Sequence, residues 1–368
     1  MFRLDPLQRR RWNAFRANPR ARWSLRIFLL MLVIALPAEF VANDKPLLVS
    51  YRGEYYVPVL RFYPEKAFGG EWETEAVYSE PEVQCLIATG GVEDCLDDPE
   101  AVMEDAADGQ IEGADLYPGW ILWPVVPYHF ATVNAVARAP SPPDAQHWLG
   151  TDDQTRDVVA RVIYGFRISI LFAFVVTAVS SVIGIVAGAV QGFFGGWVDL
   201  LFQRIVEIWN GTPELYVLII IGAIIPMNFW LLTLFLAVFG WTRLIGVVRA
   251  EFLRARNFEY VRAARAMGVG DFRIMFRHLL PNAMVATLTL LPFITTAAIG
   301  TLAALDFLGF GLPPSYPSLG ELTLQGKNNL QAPWLGITAF VTFAVMLSLL
   351  VFIFEGVRDA FDPRKTMR

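Results

Sequence analysis

"YVRAARAMGVGDFRIMFRHLLPNA" occupies residues 260–283. It is basic and amphipathic, and it separates two apolar runs, FWLLTLFLAVFGW (229–241) and MVATLTLLPFITTAAIG (284–300). Phe258, Val261, Ala263, Ala264 and Met267 recur at the i, i+3, i+4 spacing of one helix face. Gly268 and Gly270 suit a left-handed helix stop. Asp271 suits the cap of a second short helix running through Leu280, and Pro281 suits the first turn of the helix beyond it. The stretch reads as helix, tight glycine turn, helix, placed between two membrane spans. Ala263, Ala264 and Gly268 are small, which lets a second protein surface approach the backbone. A helix pair held on anionic lipid by its arginines fits the same pattern.

The flanks extend the membrane reading. The 368 residues are 55% hydrophobic, with a mean hydropathy of +0.44, and the apolar residues come in blocks. A spanning helix needs roughly 20 such residues. Six segments qualify: 25–42, 168–192, 199–225, 229–250, 282–304 and 334–355. The first is interrupted by Pro37 and Glu39. Its 26-residue basic leader and poor cleavage site make it an anchor rather than a signal peptide. The expected fold class is therefore an all-α polytopic membrane protein.

Charge is segregated along the chain. Residues 1–26 hold eight Arg and one Asp, residues 43–146 hold nineteen acids and five bases, and residues 243–278 hold eight Arg and three acids. Cytoplasmic flanks collect Lys and Arg. Arg9, Arg10, Arg11, Arg16, Arg20, Arg22 and Arg26 therefore place residues 1–26 in the cytoplasm. Six crossings return the tail 357–368, with Arg358, Arg364, Lys365 and Arg368, to the same side. The 251–281 loop then also lies inside, and 43–165 lies outside.

In that outer segment, LLVSYRGEYYVPVLRFY (47–63) alternates as short strands do. Residues 71–115 are acidic and read as an irregular, partly mobile insertion. PSPPDAQ (140–146) reads as a linker. Cys85 and Cys95 both fall in the acidic part. In an oxidising compartment a disulfide fits, and two free thiols fit the spacing equally.

Chemistry of its own is not legible. The one Gly-Lys pair, Gly326-Lys327, lacks the phosphate-loop spacing. His129, His147 and His278 are far apart and show no metal-ligand pattern. The chain is expected to have no catalytic residues, bind no metal or cofactor, and contact no nucleic acid. Gly184, Gly188 and Gly192 form a close-packing stripe, read either as helix packing or as a moving gate surface. Glu207 is a functional candidate within a span or the partner of Arg204 at i, i+3. Asp306 sits where cargo would enter from outside. Asp152, Arg156 and Asp157 read as caps leading into the second span.

Ala263-Ala264-x-x-x-Gly268, nine residues, then His278-x-Leu280-Pro281 resembles the EAA loop of ABC-importer permeases. HWLGTDDQTRDVVARVIYGFRISI (147–170), LDFLGFGLPPSYPSLGELTLQGKNNL (305–330), APWLGI (332–337) and GVRDAFDPR (356–364) resemble the dipeptide/oligopeptide branch, and the 305–330 stretch together with NDKPLLV (43–49) is similar to its Yej-type peptide and microcin C permeases. The family's usual Glu is here Arg262, and its usual Gly before Arg-Asp is here Thr155.

The resemblance implies a type I importer core in spans two to six (166–356), with 27–42 as an extra N-terminal helix. It also implies a second homologous permease, cytoplasmic ATPase subunits that hydrolyse ATP, and a periplasmic binding protein, all at a bacterial inner membrane. In such a loop Arg262, Ala263, Ala264, Met267, Gly268, His278, Leu280 and Pro281 meet the ATPase. The competing reading is a membrane-anchored receptor whose acidic domain binds partners outside.

Overall fold

The computed structural model describes residues 6–108, 119–136 and 138–361. Part of the acidic insertion, and the tail residues Arg364, Lys365 and Arg368, lie outside them. The chain divides into two compact units: residues up to Leu32 with Gly165–Asn328 and residues from Gly336 onward, and Val33–Tyr164 with Asn329–Leu335.

Four helices among the described residues are long and apolar enough to cross a membrane: Val158–Phe194, Phe229–Ala255, Ala286–Phe307 and Pro333–Phe361. Asn228 starts the second of these, its Oδ1 accepting the Leu231 N–H at 2.9 Å. The expected continuous span 199–225 is instead two helices, Gly196–Gly211 and Glu214–Ile224, bent by 68°. Pro213 has no N–H and disfavours a helical residue before it, and Thr212 is extended at φ −83°, ψ 120°. The first apolar segment is helical over Pro19–Ala35 and resumes for one turn at Ala38–Val41, with the break at Pro37.

In the first unit the glycine stripe lies against the segment Trp241–Phe252. A Cβ added at Gly184, Gly188 or Gly192 would come within 3.0 Å of the carbonyl oxygens of Trp241, Ile245 and Arg249 in turn. The two backbones touch because these side chains are missing. Beneath this contact Ala189, Phe193, Leu244, Val248 and Phe252 are buried together with Val261, Ala264, Ile274, Met275 and Leu279. The core of the spans thus continues into the loop quoted above.

The second unit builds its own core. Strands β1 (Leu48–Tyr51) and β2 (Glu54–Tyr56) pair antiparallel. Their two-residue turn has Arg52 at φ 48° and Gly53 at φ 80°, the all-positive geometry that suits the strands' twist. Strand β3 (Trp120–Leu122) adds to the other edge of β1 with Val49 opposite Ile121.

The acidic insertion is ordered in its described part, contrary to the expectation of an irregular segment. Helices Pro81–Thr89 and Pro99–Asp108 flank a short turn, and Cys85 is bonded to Cys95 with Cα atoms 5.6 Å apart. Val49, Tyr51, Phe68, Tyr78, Val83 and Ile87 fill the interior. Phe68 is fully buried, with Tyr51, Tyr56 and Tyr78 edge-on to it at centroid distances of 5.5, 5.2 and 5.7 Å. Burial pushes the Tyr78 hydroxyl well above its ordinary range.

The 140–146 stretch is likewise no free linker. Ser141 and Thr151 exchange hydrogen bonds: the Ser141 N–H reaches Thr151 Oγ1 at 2.9 Å and the Thr151 N–H reaches the Ser141 carbonyl at 3.0 Å. The Asp144 carboxylate accepts the His147 and Gln146 N–H groups, which hold it below the usual carboxylate range.

Asp157 caps the long helix, its Oδ1 accepting the Ala160 N–H at 2.8 Å and its Oδ2 facing His147 Nδ1 at 2.9 Å. Asp152 accepts Arg156 Nε at 2.7 Å, and Arg161 Nε lies 3.4 Å away. All five side chains are buried. Thr155 stands at φ +63°, in the left-handed region that favours glycine. Its carbonyl and hydroxyl both bond Asn134.

Candidate functional site: the loop at residues 258–281

Helix Glu259–Ala266 closes with a paired hydrogen-bond stop. The Gly268 N–H reaches the Arg265 carbonyl at 2.9 Å and the Val269 N–H reaches the Ala264 carbonyl at 3.1 Å, with Gly268 at φ +78°. This is the two-bond motif that satisfies the last carbonyls of a helix. Gly270 is not left-handed: at φ −63° it is the cap residue of the next helix. Asp271 is therefore the first helical residue rather than the cap, and its Oδ1 lies 3.6 Å from Arg265 Nε. An acid there still favours the positive helix end.

The return helix is not uniform. One turn, Asp271–Arg273, gives way to a π segment, Ile274–Leu279, and then to helix Leu280–Leu288. Pro281 cannot donate to the carbonyl four residues back, and the wider turn absorbs this, with the Leu280 N–H reaching the Met275 carbonyl. The His278 carbonyl accepts Asn282 Nδ2 at 3.0 Å, and the His278 ring is half-buried.

Two faces result. Val261, Ala264, Ile274, Met275 and Leu279 point into the unit's own core, with Val269 and Leu280 partly buried against it. Ala264 is thus a packing residue, not open to another protein. Arg262, Ala263, Gly268, Phe272, Arg273 and Arg277 are exposed, and so is Met267, at 75% of its surface. The exposed face is basic with an apolar centre, where Phe272 and Phe276 stack with centroids 5.9 Å apart.

Arginines missed by the sequence reading tie the loop down. Arg249 makes a two-pronged pair with Asp199 at 2.6 and 2.7 Å. Arg256 Nη1 reaches the Gly192 and Phe193 carbonyls at 3.4 Å, and the Arg265 guanidinium sits 5.0 Å over the Phe193 ring. Their partners are 50 or more positions away, and charge segregation was the only hint.

The other candidates fall elsewhere. Glu207 pairs with Arg204, both exposed. Asp306 is buried. Its Oδ1 accepts the Leu312 N–H at 2.7 Å and its Oδ2 the Ser318 hydroxyl, so it clasps the loop that follows its helix. It also lines a cavity of about 430 Å³ with Glu321, Leu218 and Met227. No group of three or more metal-ligating side chains occurs among the described residues.

Residues 160–367 match the family described as "Binding-protein-dependent transport system inner membrane component". The chain belongs to this family. It is a helical, type I permease subunit of an ATP-binding-cassette importer and a multi-pass inner-membrane protein.

The permease resembles relatives along its full length. "Peptidoglycan transport system permease protein YejE" of Agrobacterium fabrum (strain C58) is 51% identical over 391 residues, covering 99% of this chain and 95% of that protein. "Inner membrane ABC transporter permease protein YejE" of Escherichia coli (strain K12) is 50% identical, with 100% of both chains covered. "Oligopeptide transport system permease protein OppC" of Bacillus subtilis (strain 168) is 33% identical over 64% of this chain and 78% of its own.

Proposed function

We propose that the permease forms half of a translocation path for peptides or peptide conjugates handed over by a periplasmic binding protein. A second, homologous permease forms the other half. Six crossings, with both termini in the cytoplasm, put 251–281 on the cytoplasmic side. Separate ATPase subunits bind and hydrolyse ATP and dock there. The names of the full-length and partial relatives, which include oligopeptide and peptidoglycan transport systems, support this cargo class.

One observation carries the reading. The loop spends one face on the permease's own core and leaves the other, with Arg262, Ala263, Met267 and Gly268, uncovered. A lever must be fixed at its base and open at its tip, and this loop is both. Closure of the ATPase dimer pushes the tip, and the shared core transmits the push to the spans. His278, Leu280 and Pro281 form the join to the fifth span. The Gly184, Gly188 and Gly192 stripe keeps the second and fourth spans moving as one. Asp306 meets arriving cargo from the outer cavity. Arg262 in place of an acid calls for an acidic patch on the ATPase.

The test is affinity purification of the tagged permease from detergent, with mass spectrometry of its companions. The wild type should bring an ATPase and a second permease. Ala263→Arg should lose the ATPase more than tenfold and keep the second permease. Gly268→Trp should insert normally but abolish uptake, while Gly268→Asn, which tolerates the left-handed backbone, should retain it. An ATPase that stays bound to Ala263→Arg, or normal uptake by Gly268→Trp, would overturn the assignment.

A further inference from the structure

Another feature of the first unit is left unused by transport. Helix Pro6–Ala17 ends at Asn18, whose Oδ1 accepts the Ala21 N–H at 3.3 Å as the next helix begins. Phe15, Ala21 and Ala360 are buried together, with Leu25 and Val357 against them. Gly356 permits this approach, since a Cβ there would run into Ala21 and the Phe15 ring. Beside the cluster opens a groove of about 560 Å³. Leu25, Leu288, Ile353 and Val357 form its walls, and Trp12 and Phe361 line it too. Among the described residues Arg11 is the one charged lining residue, its guanidinium 4.3 Å above the Phe361 ring.

Between Pro6 and Ala38 the chain carries seven arginines and no acid. Arg9, Arg10, Arg16 and Arg20 are exposed. The acids of the neighbouring helix, Glu355 and Asp359, are not among the groove's lining residues. An apolar slot beside a run of guanidinium groups matches one class of molecule, with a long alkyl chain joined to an anionic head. Arginine forks suit phosphate oxygens, and basic pockets beside spanning helices suit anionic headgroups. An acidic protein segment would satisfy the arginines but would leave the aliphatic walls exposed.

We propose that this groove is a binding site for one anionic phospholipid, an acyl chain lying along Leu25, Leu288 and Val357 and the phosphate held by Arg11 and its neighbouring arginines. The bound lipid joins the helix Pro6–Ala17 to the inner end of Pro333–Phe361. The site is distinct from the coupling loop and stands whether or not that loop docks an ATPase.

The experiment uses the intact importer in nanodiscs of mixed lipid, doped with phosphatidylglycerol carrying a photoreactive diazirine in one acyl chain. Cross-links should concentrate on peptides containing Leu25, Leu288 and Val357. Unlabelled phosphatidylglycerol should compete at least fivefold better than phosphatidylcholine. Val357→Trp, which fills the groove, and Arg11→Gln should each lower labelling there at least fivefold, whereas Arg11→Lys and the distant Arg204→Gln should not. Labels scattered evenly over the apolar surface, or equal competition by phosphatidylcholine, would overturn the proposal on the wild-type protein alone. Undiminished labelling of a folded Val357→Trp would do so as well.

Discussion

Residues 258–281 and residues 43–164 both depart from the apolar pattern of the spans, and each has to bury its non-polar residues by other means. The loop 258–281 is too short to enclose a core, so it lends Val261, Ala264, Ile274 and Met275 to the core of the spans. The 43–164 segment encloses its own, around Phe68, Tyr51 and Tyr78, and beside it the Cys85–Cys95 bridge sits in a second buried cluster with Leu86. A borrowed core couples an element to its neighbours, whereas a private one lets a segment keep its shape by itself. That difference ties the shape of the first region to the spans and leaves the second to its own contacts.

The sharpest way to break the contrast is Phe68→Ala. Removing a fully buried ring from among aromatic neighbours should cost roughly 3–5 kcal/mol. Limited proteolysis should then cut within 43–122 while the ATPase still co-purifies. Loss of ATPase binding would show that the private core is not private.

Replacing Cys85 and Cys95 together by Ala opens a loop of sequence separation 10, worth about 2–3 kcal/mol by chain entropy. Reductant should reproduce the effect in the wild type and add nothing in the variant, as read by thermal unfolding of the segment.

In the other region Gly268→Ala meets open space, so only the left-handed backbone at φ +78° is taxed. The expected cost is about 1 kcal/mol, seen as faster hydrogen exchange of the Val269 amide with uptake reduced only slightly.

Thr155→Gly should come out close to neutral. Relief of a β-branched residue at φ +63° gains about 1 kcal/mol, and loss of the hydroxyl that accepts the Asn134 N–H removes a similar amount. Thr155→Ala keeps the strain and loses the bond, so it should be the less stable of the two by thermal unfolding.

The smallest effect concerns acid. The depressed Asp144 carboxylate stabilises the fold fully above its unfolded pKa of about 3.9, and that contribution disappears as pH falls through the lower folded value. An Asp144→Asn variant should therefore differ from wild type at pH 6 and converge with it as that lower range is crossed.

The sequence reading succeeded where contacts are local. The i, i+3, i+4 spacing of Val261 and Ala264, the stop at Gly268 and the break at Pro37 depend on residues within one or two turns, and all are found in the structure. It failed where the partner is distant. The insertion looked irregular because its helix Pro81–Thr89 packs Val83 and Ile87 against Val49 and Tyr51, more than 30 positions away. Ala264 looked available because periodicity shows that a face exists but not what covers it. Asp271 was displaced from the cap because Gly270 takes that position with an extended backbone. The bend at Thr212–Pro213 is a local proline effect inside the apolar run, where hydropathy alone does not show it.

The sequence by itself determined the membrane class, the helix–turn–helix at 258–281, and the family, because hydropathy, helical period and motif spacing are properties of neighbouring residues. Only the tertiary structure decided which face of that loop is spent on the core. It likewise decided that Arg249 is clamped to Asp199, and that the glycine stripe rests on the backbone from Trp241 to Arg249. Those outcomes depend on close packing and charge pairing between segments dozens of residues apart, which the order of residues along the chain does not record.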